Sequence, residues 1–234
     1  MKSQNLDALS RIVDLDKIEA AKNSINEANG LPNECYLNDE YFKIEREKVF
    51  FDNWIVVGVS SSVPETGDAK PFNLMGIPLL ILRDKNNKIR VFHNVCSHRG
   101  MILLNKECKL KNTIRCPYHS WSYNFNGELI ATPHVGGMNI HEADGFIKSK
   151  SNLKEVSSHV WMDLIFINVN KNKKDFEESI DPLEKQWSKF ISKEDQKLIR
   201  HAGDFGYFNM EVKSNWKLAI ENYCESYHLP WVHP

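Results

Sequence analysis

Two short segments each place one cysteine beside one histidine, and this pairing limits the possible fold more than any other feature of the chain. The first is Asn94-Val95-Cys96-Ser97-His98-Arg99-Gly100 and the second is Cys116-Pro117-Tyr118-His119-Ser120-Trp121. Gly100 and Pro117 indicate a tight turn in each segment. Thiolate and imidazole groups are common ligands of transition metals. The sequence therefore predicts two loops, at one end of a β structure, that close over a single inorganic centre.

The order of the ligands bears on which centre this is. Two Cys and two His also form structural zinc sites, so a zinc-binding module is one alternative. Zinc fingers, however, pair Cys with Cys and His with His, whereas each half here mixes the two types. The mixed order favours a [2Fe–2S] cluster in which Cys96 and Cys116 hold one iron and His98 and His119 hold the other. Trp121, next to a ligand loop and together with Tyr118, is predicted to shield the cluster from water.

Hydrophobic periodicity predicts where the chain is strand and where it is helix. Short apolar or β-branched runs between turn-forming residues indicate an all-β region from residue 54 to about 170. The Asn126-Gly127 pair predicts a hairpin turn within it. Helical spacing occurs in residues 1–30, 39–52, 176–190 and 215–229, and one further strand is expected around residues 206–212. The predicted strands of the β region are Trp54–Val59, Pro78–Arg83, Ile89–His93 and Val160–Val169.

Composition and charge exclude several classes of protein. The net charge is −1, from 30 basic and 31 acidic residues, which gives no electrostatic signature of nucleic-acid or anionic-membrane binding. The longest apolar run, Ile77–Leu82, is far below the roughly 20 residues that a membrane span needs. No apolar signal region follows Met1. Five scattered cysteines do not form a disulfide scaffold. These features predict a cytoplasmic protein.

The C-terminal segment, residues 215–234, carries a second cluster of polar side chains. On a continuous helix, Glu221, Glu225 and His228 fall within about 60° of one another. Two carboxylates and an imidazole on one face are costly to bury unless they serve a metal or one another. Pro230 is predicted to bend or end the helix and so to bring His233 back toward His228. The alternative is an amphipathic helix with two incidental histidines.

Both segments together resemble the large subunits of the ring-hydroxylating Rieske non-haem iron oxygenases. The shared motifs are Cys-Ser-His-Arg-Gly, Cys-Pro-Tyr-His-Ser-Trp and Asn-Trp-Lys…Glu-Asn-Tyr…Glu-x-Tyr-His-x4-His. The resemblance implies that His228 and His233 are two arms of a 2-His-1-carboxylate site for mononuclear Fe(II). It also implies that Glu225 is the acid that links a neighbouring subunit's Rieske histidine to an iron-ligating histidine, where most of the family has Asp. Asn222 is then expected close to the iron.

The resemblance implies a fold class, α+β. An N-terminal helical segment (1–45) precedes an all-β Rieske domain (46–170) and the start of a helix-grip catalytic domain (171–234). The family's third iron ligand lies further downstream, so we expect an N-terminal fragment or truncated product that holds its cluster but turns over no substrate by itself.

The implied function is O2-dependent hydroxylation or demethylation of a small organic substrate, with electrons from a reductase or ferredoxin, in a homotrimer. Glu at position 225 is familiar from family members that act on quaternary ammonium compounds, but the sequence does not identify the substrate. A stand-alone Rieske electron carrier is the alternative, and residues 215–234 argue against it because a carrier has no use for Glu225, His228 and His233.

Overall fold

The computed structural model describes residues 8–170, 175–203 and 210–232. The chain divides into two compact units: residues 1–49 together with 208–234, and the continuous stretch 50–207. The boundaries predicted from the sequence, at residues 45 and 170, remain a prediction. Within the described residues, no helix has both the length and the apolar character that a membrane span requires.

The continuous unit is built on β-strands, which confirms the predicted all-β region. The strands are β1 (Ile55–Val59), β2 (Asp68–Leu74), β3 (Ile77–Arg83), β4 (Ile89–His93), β5 (Cys108–Lys109), β6 (Ile114–Arg115), β7 (Ser122–Tyr123), β8 (Leu129–Ala131), β9 (Glu155–Trp161) and β10 (Leu164–Asn168). A seven-stranded antiparallel sheet has the strand order β1-β10-β9-β4-β3-β2-β5. A second sheet has three strands in the order β6-β7-β8.

Residues 77–82 of strand β3 form an uninterrupted apolar run because both faces of the strand are covered. Leu80 and Leu82 pack into one core, which also contains the two cysteines of the ligand motifs. Leu79 and Ile81 belong to a second core with residues of β4, β9 and β10. Successive side chains of a strand point to opposite faces, so burial on both faces removes the usual alternation of polar and apolar residues.

The predicted turn at Asn126-Gly127 joins β7 to β8. Gly127 has a φ of +82°, in the left-handed region that favours glycine. A Cβ atom at this position would lie 2.6 Å from a ring carbon of Phe92. Both the backbone conformation and the close approach of Phe92 therefore require glycine.

One strand prediction is wrong. Residues 160–169 form parts of two strands, β9 and β10, joined by a turn at Met162 and Asp163, which have φ angles of +50° and +67°. The Asp163 carboxylate accepts hydrogen bonds from the N–H of Ser61 (3.0 Å) and the N–H of His201 (2.8 Å). These contacts, distant in sequence, hold a turn that contains no glycine.

The turn between β3 and β4 is stabilised by hydrogen bonds to the buried carboxylate of Asp84. This group accepts hydrogen bonds from the N–H groups of Asn86 and Lys88, both at 2.9 Å, and from Arg90 Nε at 2.8 Å. Burial alone raises the pKa of the Asp84 carboxyl, but these donors outweigh it and hold the pKa below its usual value.

Helices occur in both units. In the continuous unit, α4 (Phe176–Trp187) confirms the predicted helix and α5 (Lys193–Gln196) follows it. The strand expected around residues 206–212 falls mostly outside the described residues. The helices of the other unit are α1 (Leu15–Ala20), α2 (Glu34–Leu37), α3 (Asp39–Glu45), α6 (Trp216–Cys224) and α7 (Leu229–Val232). Helix α1 ends well before Gly30. A π-helical turn, Arg46–Phe51, follows α3 along the chain.

A buried ion pair joins α3 to α6 within the second unit. Lys217 Nζ lies 2.7 and 2.8 Å from the two carboxylate oxygens of Glu45, and both residues are buried. The ring of Trp216 lies 5.2 Å from the same ammonium group, and Trp216 Nε1 donates to Glu45 at 3.2 Å. The Tyr36 hydroxyl donates to Glu221 at 2.6 Å, which raises the pKa of Tyr36 to about 12.

Candidate metal centre

The first ligand loop follows β4 and is closed by its own backbone. The N–H of Cys96 donates to the carbonyl of Met101 at 2.8 Å, and the N–H of Gly100 donates to the carbonyl of Cys96 at 2.9 Å. Gly100 has a φ of +70°. The buried side chain of Asn94 exchanges two hydrogen bonds with the backbone of Leu104, at 2.7 and 3.0 Å, and so fixes the base of the loop.

The second ligand loop, between β6 and β7, repeats this backbone pattern. The N–H of Cys116 donates to the carbonyl of Trp121 at 2.8 Å, and the N–H of Ser120 donates to the carbonyl of Cys116 at 3.1 Å. Ser120 has a φ of +60° and takes the place that Gly100 has in the first loop. The positive φ therefore falls four residues after the cysteine in both loops, and Pro117 lies in the turn that the sequence predicted.

The structure brings the four predicted cluster ligands together. Cys96 and Cys116 are each 2% exposed in the same core, and the rings of His98 and His119 lie 4.8 Å apart. Burial raises the pKa of the Cys96 thiol, and the neighbouring Cys116 raises it further, against the lowering effect of the Tyr123 hydroxyl. Burial, followed by the charges of His119 and Arg99, lowers the pKa of His98, which favours the neutral imidazole that binds metals.

One buried nitrogen supports a metal at this place. The Nδ1 atom of His119 is buried and has no hydrogen-bond partner among the described residues. A buried polar atom without a partner is costly, and a bond to iron would satisfy it. In the described part of the chain no group of three His, Cys, Asp or Glu surrounds a single ion. A [2Fe–2S] cluster needs no such group, because each iron takes only two protein ligands. The residues present fit this cluster.

Aromatic side chains cover the histidine pair. Trp121 is 5% exposed, and its indole stacks on His98 with the ring centroids 4.5 Å apart. Phe146 makes an edge-to-face contact with Trp121, with the ring centroids 5.6 Å apart. Tyr118 lies 3.8 Å from the ring of His119 but remains 58% exposed. The positions of these rings are compatible with the shielding role expected for Trp121, which remains a prediction.

Sequence reasoning missed Tyr123, whose hydroxyl contacts the first ligand loop at Cys96 and Ser97. It is fully buried, and its hydroxyl lies 3.2 Å from Cys96 Sγ and 2.9 Å from Ser97 Oγ. The N–H of Ser97 donates to this hydroxyl at 3.2 Å, and Ser97 Oγ donates to the carbonyl of Ser151. The available signal was a tyrosine in the first strand after a ligand loop, two residues beyond Trp121.

The predicted polar stripe of the C-terminal segment is wrong, although two of its members do meet. Helix α6 ends at Cys224, and Glu225 is extended, with φ −127° and ψ 152°. Glu221 is directed to Tyr36 instead. Glu225 nevertheless contacts His228 Nδ1, because its carboxylate turns onto the residues that follow and also accepts the N–H of His228 at 3.2 Å. The hydrogen bond to His228 lowers the pKa of Glu225.

The predicted mononuclear iron site is only partly within the described residues. Pro230 lies in the first turn of α7, where proline is tolerated, so the break in the helix comes earlier, at Glu225. His233 lies outside the described residues. Asn222 is exposed, on a groove of about 470 Å³ whose lining residues are Asn222, Tyr223, Cys224, Glu225, Ser226, His228 and Leu229. The ligand roles of His228 and His233 remain predictions.

Comparison with known proteins identifies both segments. Residues 53–143 match the Rieske [2Fe-2S] domain, and residues 199–234 match the ring hydroxylating alpha subunit catalytic domain. The carnitine monooxygenase oxygenase subunit of Escherichia coli K12 is 31% identical over 209 residues, 89% of this chain and 53% of that protein. The corresponding subunit of Acinetobacter pittii is 30% identical over 203 residues, 87% of this chain and 52% of that protein. The chain thus spans about half the length of these relatives.

Solved structures show the same relationship. The quaternary ammonium Rieske monooxygenase CntA in complex with γ-butyrobetaine has a TM-score of 0.75 and 28% identity, and the match covers 87% of this chain and 56% of CntA. Naphthalene 1,2-dioxygenase with bound indole has a TM-score of 0.68 at 23% identity over 84% of this chain and 43% of that chain. The second likeness concerns the fold alone.

Proposed function

The chain belongs to the family of Rieske non-haem iron oxygenase large subunits, and we propose that it binds the [2Fe–2S] cluster of such an oxygenase through Cys96, His98, Cys116 and His119. The observation that carries this proposal is the buried Nδ1 atom of His119, which has no hydrogen-bond partner among the described residues. His119 lies beside the ring of His98, and the thiols of Cys96 and Cys116 are buried. When bound, the cluster stores one electron for the activation of O2 at a mononuclear Fe(II).

The residues of the chain have separate roles in this proposal. The two thiolates hold one iron and the two imidazoles hold the other, while Trp121 keeps water from His98. Glu225 holds the Nδ1–H of His228 and so fixes the tautomer in which Nε2 is free to bind Fe(II). Asn222 lies on the same groove, and His233 is the second proposed ligand.

The proposed reaction is O2-dependent oxidation of a quaternary ammonium compound, with electrons from a reductase or ferredoxin, in a cytoplasmic homotrimer. Two observations support this substrate class. Carnitine monooxygenase subunits and CntA are among the matched proteins, and the proposed bridging acid is Glu225. The match of residues 199–234 to the catalytic domain favours an oxygenase over a stand-alone electron carrier.

Metal and sulfide analysis of the anaerobically purified chain tests the cluster. We expect about two irons and two sulfides per chain and the visible absorption of an iron–sulfur protein. Cys116→Ala should abolish both, whereas Cys108→Ala, which removes a thiol between the two ligand loops, should retain them. Zinc in place of iron and a colourless protein would refute the proposal.

A second measurement tests the mononuclear site and the substrate class. After Fe(II) loading, His228→Ala should lose iron in excess of the cluster, whereas His141→Ala should not. O2 uptake by the reduced protein extended with the downstream catalytic-domain sequence is then compared with L-carnitine, γ-butyrobetaine, glycine betaine and choline, with naphthalene as the aromatic alternative. If both histidine variants retain the same amount of iron beyond that of the cluster, His228 is not an iron ligand, and the stand-alone electron carrier becomes the better interpretation.

A further inference from the structure

Two exposed histidines accept hydrogen bonds from the backbone of the loop that follows β8, which we call the histidine loop (residues 132–146). His134 Nδ1 accepts the N–H of Asn139 at 2.8 Å, and His141 Nδ1 accepts the N–H of His134 at 3.1 Å. The two imidazole rings lie 5.1 Å apart, with an interplanar angle of 65°. Because both Nδ1 atoms are acceptors, each ring is neutral and carries its proton on Nε2.

The backbone of the histidine loop is strained at the residues that these bonds join. His134 and Asn139 have φ angles of +59° and +60°, which are uncommon for residues other than glycine. A Cβ atom at Gly136 would clash with the carbonyl oxygen of Glu142, so the two ends of the loop approach each other closely. The bond from His134 to His141 Nδ1 connects these same ends. The imidazoles therefore contribute to the closed conformation of the loop.

The histidine loop ends at the aromatic side chains that cover the proposed cluster. Phe146 contacts Trp121 with the ring centroids 5.6 Å apart, and Trp121 stacks on His98 at 4.5 Å. Val135 and Phe146 both pack against the core that contains the two cysteines of the ligand motifs. A change in the loop thus reaches a proposed cluster ligand through two ring contacts.

Protonation of the imidazoles removes the acceptors that the loop uses. An imidazolium carries a proton on both ring nitrogens and accepts no hydrogen bond. Two imidazolium rings at this separation also repel each other. Both rings are exposed to solvent, and histidine changes its charge between about pH 5 and 8. Mild acid therefore removes both Nδ1 bonds of the loop.

Neighbouring charges do not replace these bonds in the structure. The charged groups on the loop and on the elements beside it are Glu142 and Asp144 on the loop, Glu128 before β8, Lys148 and Lys150 on the 3-10 turn Lys148–Ser151, and Arg99 and Arg115 at the ligand loops. Within the described part of the chain, neither ring forms an ion pair with a carboxylate. Protonation thus loses two hydrogen bonds and has no ion pair in place to offset them.

We propose that His134 and His141 are positioning residues for the cluster: as neutral imidazoles they hold the histidine loop so that Phe146 packs on Trp121, and their protonation releases it. This rests on the proposed function, because it assumes that the cluster is bound and that Trp121 shields it. Below about pH 6 the loop opens, water reaches His98, and the lifetime of the cluster in air becomes shorter. The cluster then responds to acid through two groups that do not bind it.

Hydrogen exchange tests the loop itself, whether or not the cluster is present. His134→Asn/His141→Asn replaces each imidazole by an amide that accepts through Oδ1 and does not titrate, and asparagine tolerates a positive φ. After correction for intrinsic exchange, amides of residues 132–146 in the parent should lose protection at least about threefold between about pH 7.5 and 5.5. The variant should retain its protection, and an equal loss in both proteins would overturn the proposal.

Bleaching of the visible absorption in air tests the effect on the cluster. The ratio of the bleaching rates at about pH 5.5 and 7.5 should be at least about threefold higher in the parent than in the double variant. Protonation of the cluster ligands themselves affects both proteins alike, so it cancels from this comparison. His141→Asn alone should give an intermediate ratio, which preserves the test if the double variant does not fold.

His201→Asn is the matched control for a histidine outside the loop. His201 Nδ1 also accepts a nearby backbone N–H, that of Gly203 at 3.1 Å, and the N–H of His201 donates to Asp163. This variant should keep the bleaching ratio of the parent. A ratio that falls as far as in the double variant would overturn the proposal, because any lost imidazole would then have the same effect.

Iron content keeps the remaining failures apart. A parent protein without iron and sulfide refutes the proposed function, while hydrogen exchange still decides whether the two imidazoles hold the loop. If the loop opens in acid but parent and double variant have the same bleaching ratio, the histidines do not position the aromatic cover of the cluster and the proposal is wrong.

Discussion

Replacing Tyr123 by Phe removes the hydroxyl that contacts the first ligand loop and leaves the buried ring in place. The hydroxyl has one proton and two acceptors within reach, Cys96 Sγ at 3.2 Å and Ser97 Oγ at 2.9 Å. A thiolate bound to iron carries more negative charge than a hydroxyl oxygen and so attracts the proton more strongly. Reduction adds a further electron to the cluster, so this hydrogen bond favours the reduced state.

The size of the effect follows from the energy of such bonds. A hydrogen bond to a charged group contributes about 1.5–3 kcal/mol. If reduction strengthens it by part of that amount, about 1 kcal/mol, the reduction potential falls by roughly 40 mV in the variant, since about 59 mV corresponds to a tenfold change for one electron. The fold should lose about 1–2 kcal/mol, because the N–H of Ser97 also loses its acceptor.

A redox titration followed by visible absorption or electron paramagnetic resonance measures this potential. Tyr118→Phe is the matched control, since this hydroxyl belongs to an exposed ring and the expected change is below about 10 mV. A Tyr123→Phe protein with an intact cluster and a potential within about 10 mV of the parent would refute the reasoning.

Three further substitutions test other features. Trp121→Ala should shift the reduction potential and shorten the lifetime of the cluster in air, and no change in either would disprove shielding. Gly127→Ala should destabilise the protein by about 2–4 kcal/mol in urea, from the positive φ and the contact with Phe92. Gly76→Ala is the control: Gly76 also has a positive φ, +95°, but no atom lies within 4 Å of the added Cβ, so this variant measures the cost of the backbone conformation alone. If both variants lose the same free energy of unfolding, the contact with Phe92 contributes nothing. Asp84→Asn should cost about 1–3 kcal/mol at pH 7. The native carboxyl has a lowered pKa, so its stabilisation is complete above the unfolded value of about 3.9 and disappears as pH falls through the native pKa; a difference that is independent of pH would exclude this linkage.

The ligand loops could be predicted from the sequence because their information is local. Cysteine and histidine at fixed spacing, next to a turn-forming glycine, indicate both the loop and its chemistry. The turn that Pro117 indicated is present in the second loop, but the positive φ at Ser120 has no signal in the sequence, because serine rarely adopts this conformation and does so here where its N–H closes onto Cys116. Tyr123 has no local pattern that separates a hydroxyl beside sulfur from an ordinary core tyrosine.

Two wrong predictions outside the ligand loops, the single strand at residues 160–169 and the continuous C-terminal helix, also depend on hydrogen bonds that the sequence pattern does not show. The hairpin at Met162 and Asp163 was missed because its support comes from residues far away in sequence, Ser61 and His201. The polar stripe on the C-terminal helix assumed a continuous helix. The carboxylate of Glu225 instead accepts nearby backbone N–H groups, and such local bonds compete with helical ones.

The pairing of Glu45 with Lys217 has a consequence for synthesis of the chain. The two residues are 172 positions apart, so at about 5–20 residues per second the ribosome makes the lysine roughly 10–30 s after the glutamate. Residues 50–207, which form a unit of their own, are complete before Lys217 is added. During translation the carboxylate of Glu45 must therefore stay hydrated or held by another protein, and the N-terminal segment should be the last part to become resistant to protease on stalled ribosomes.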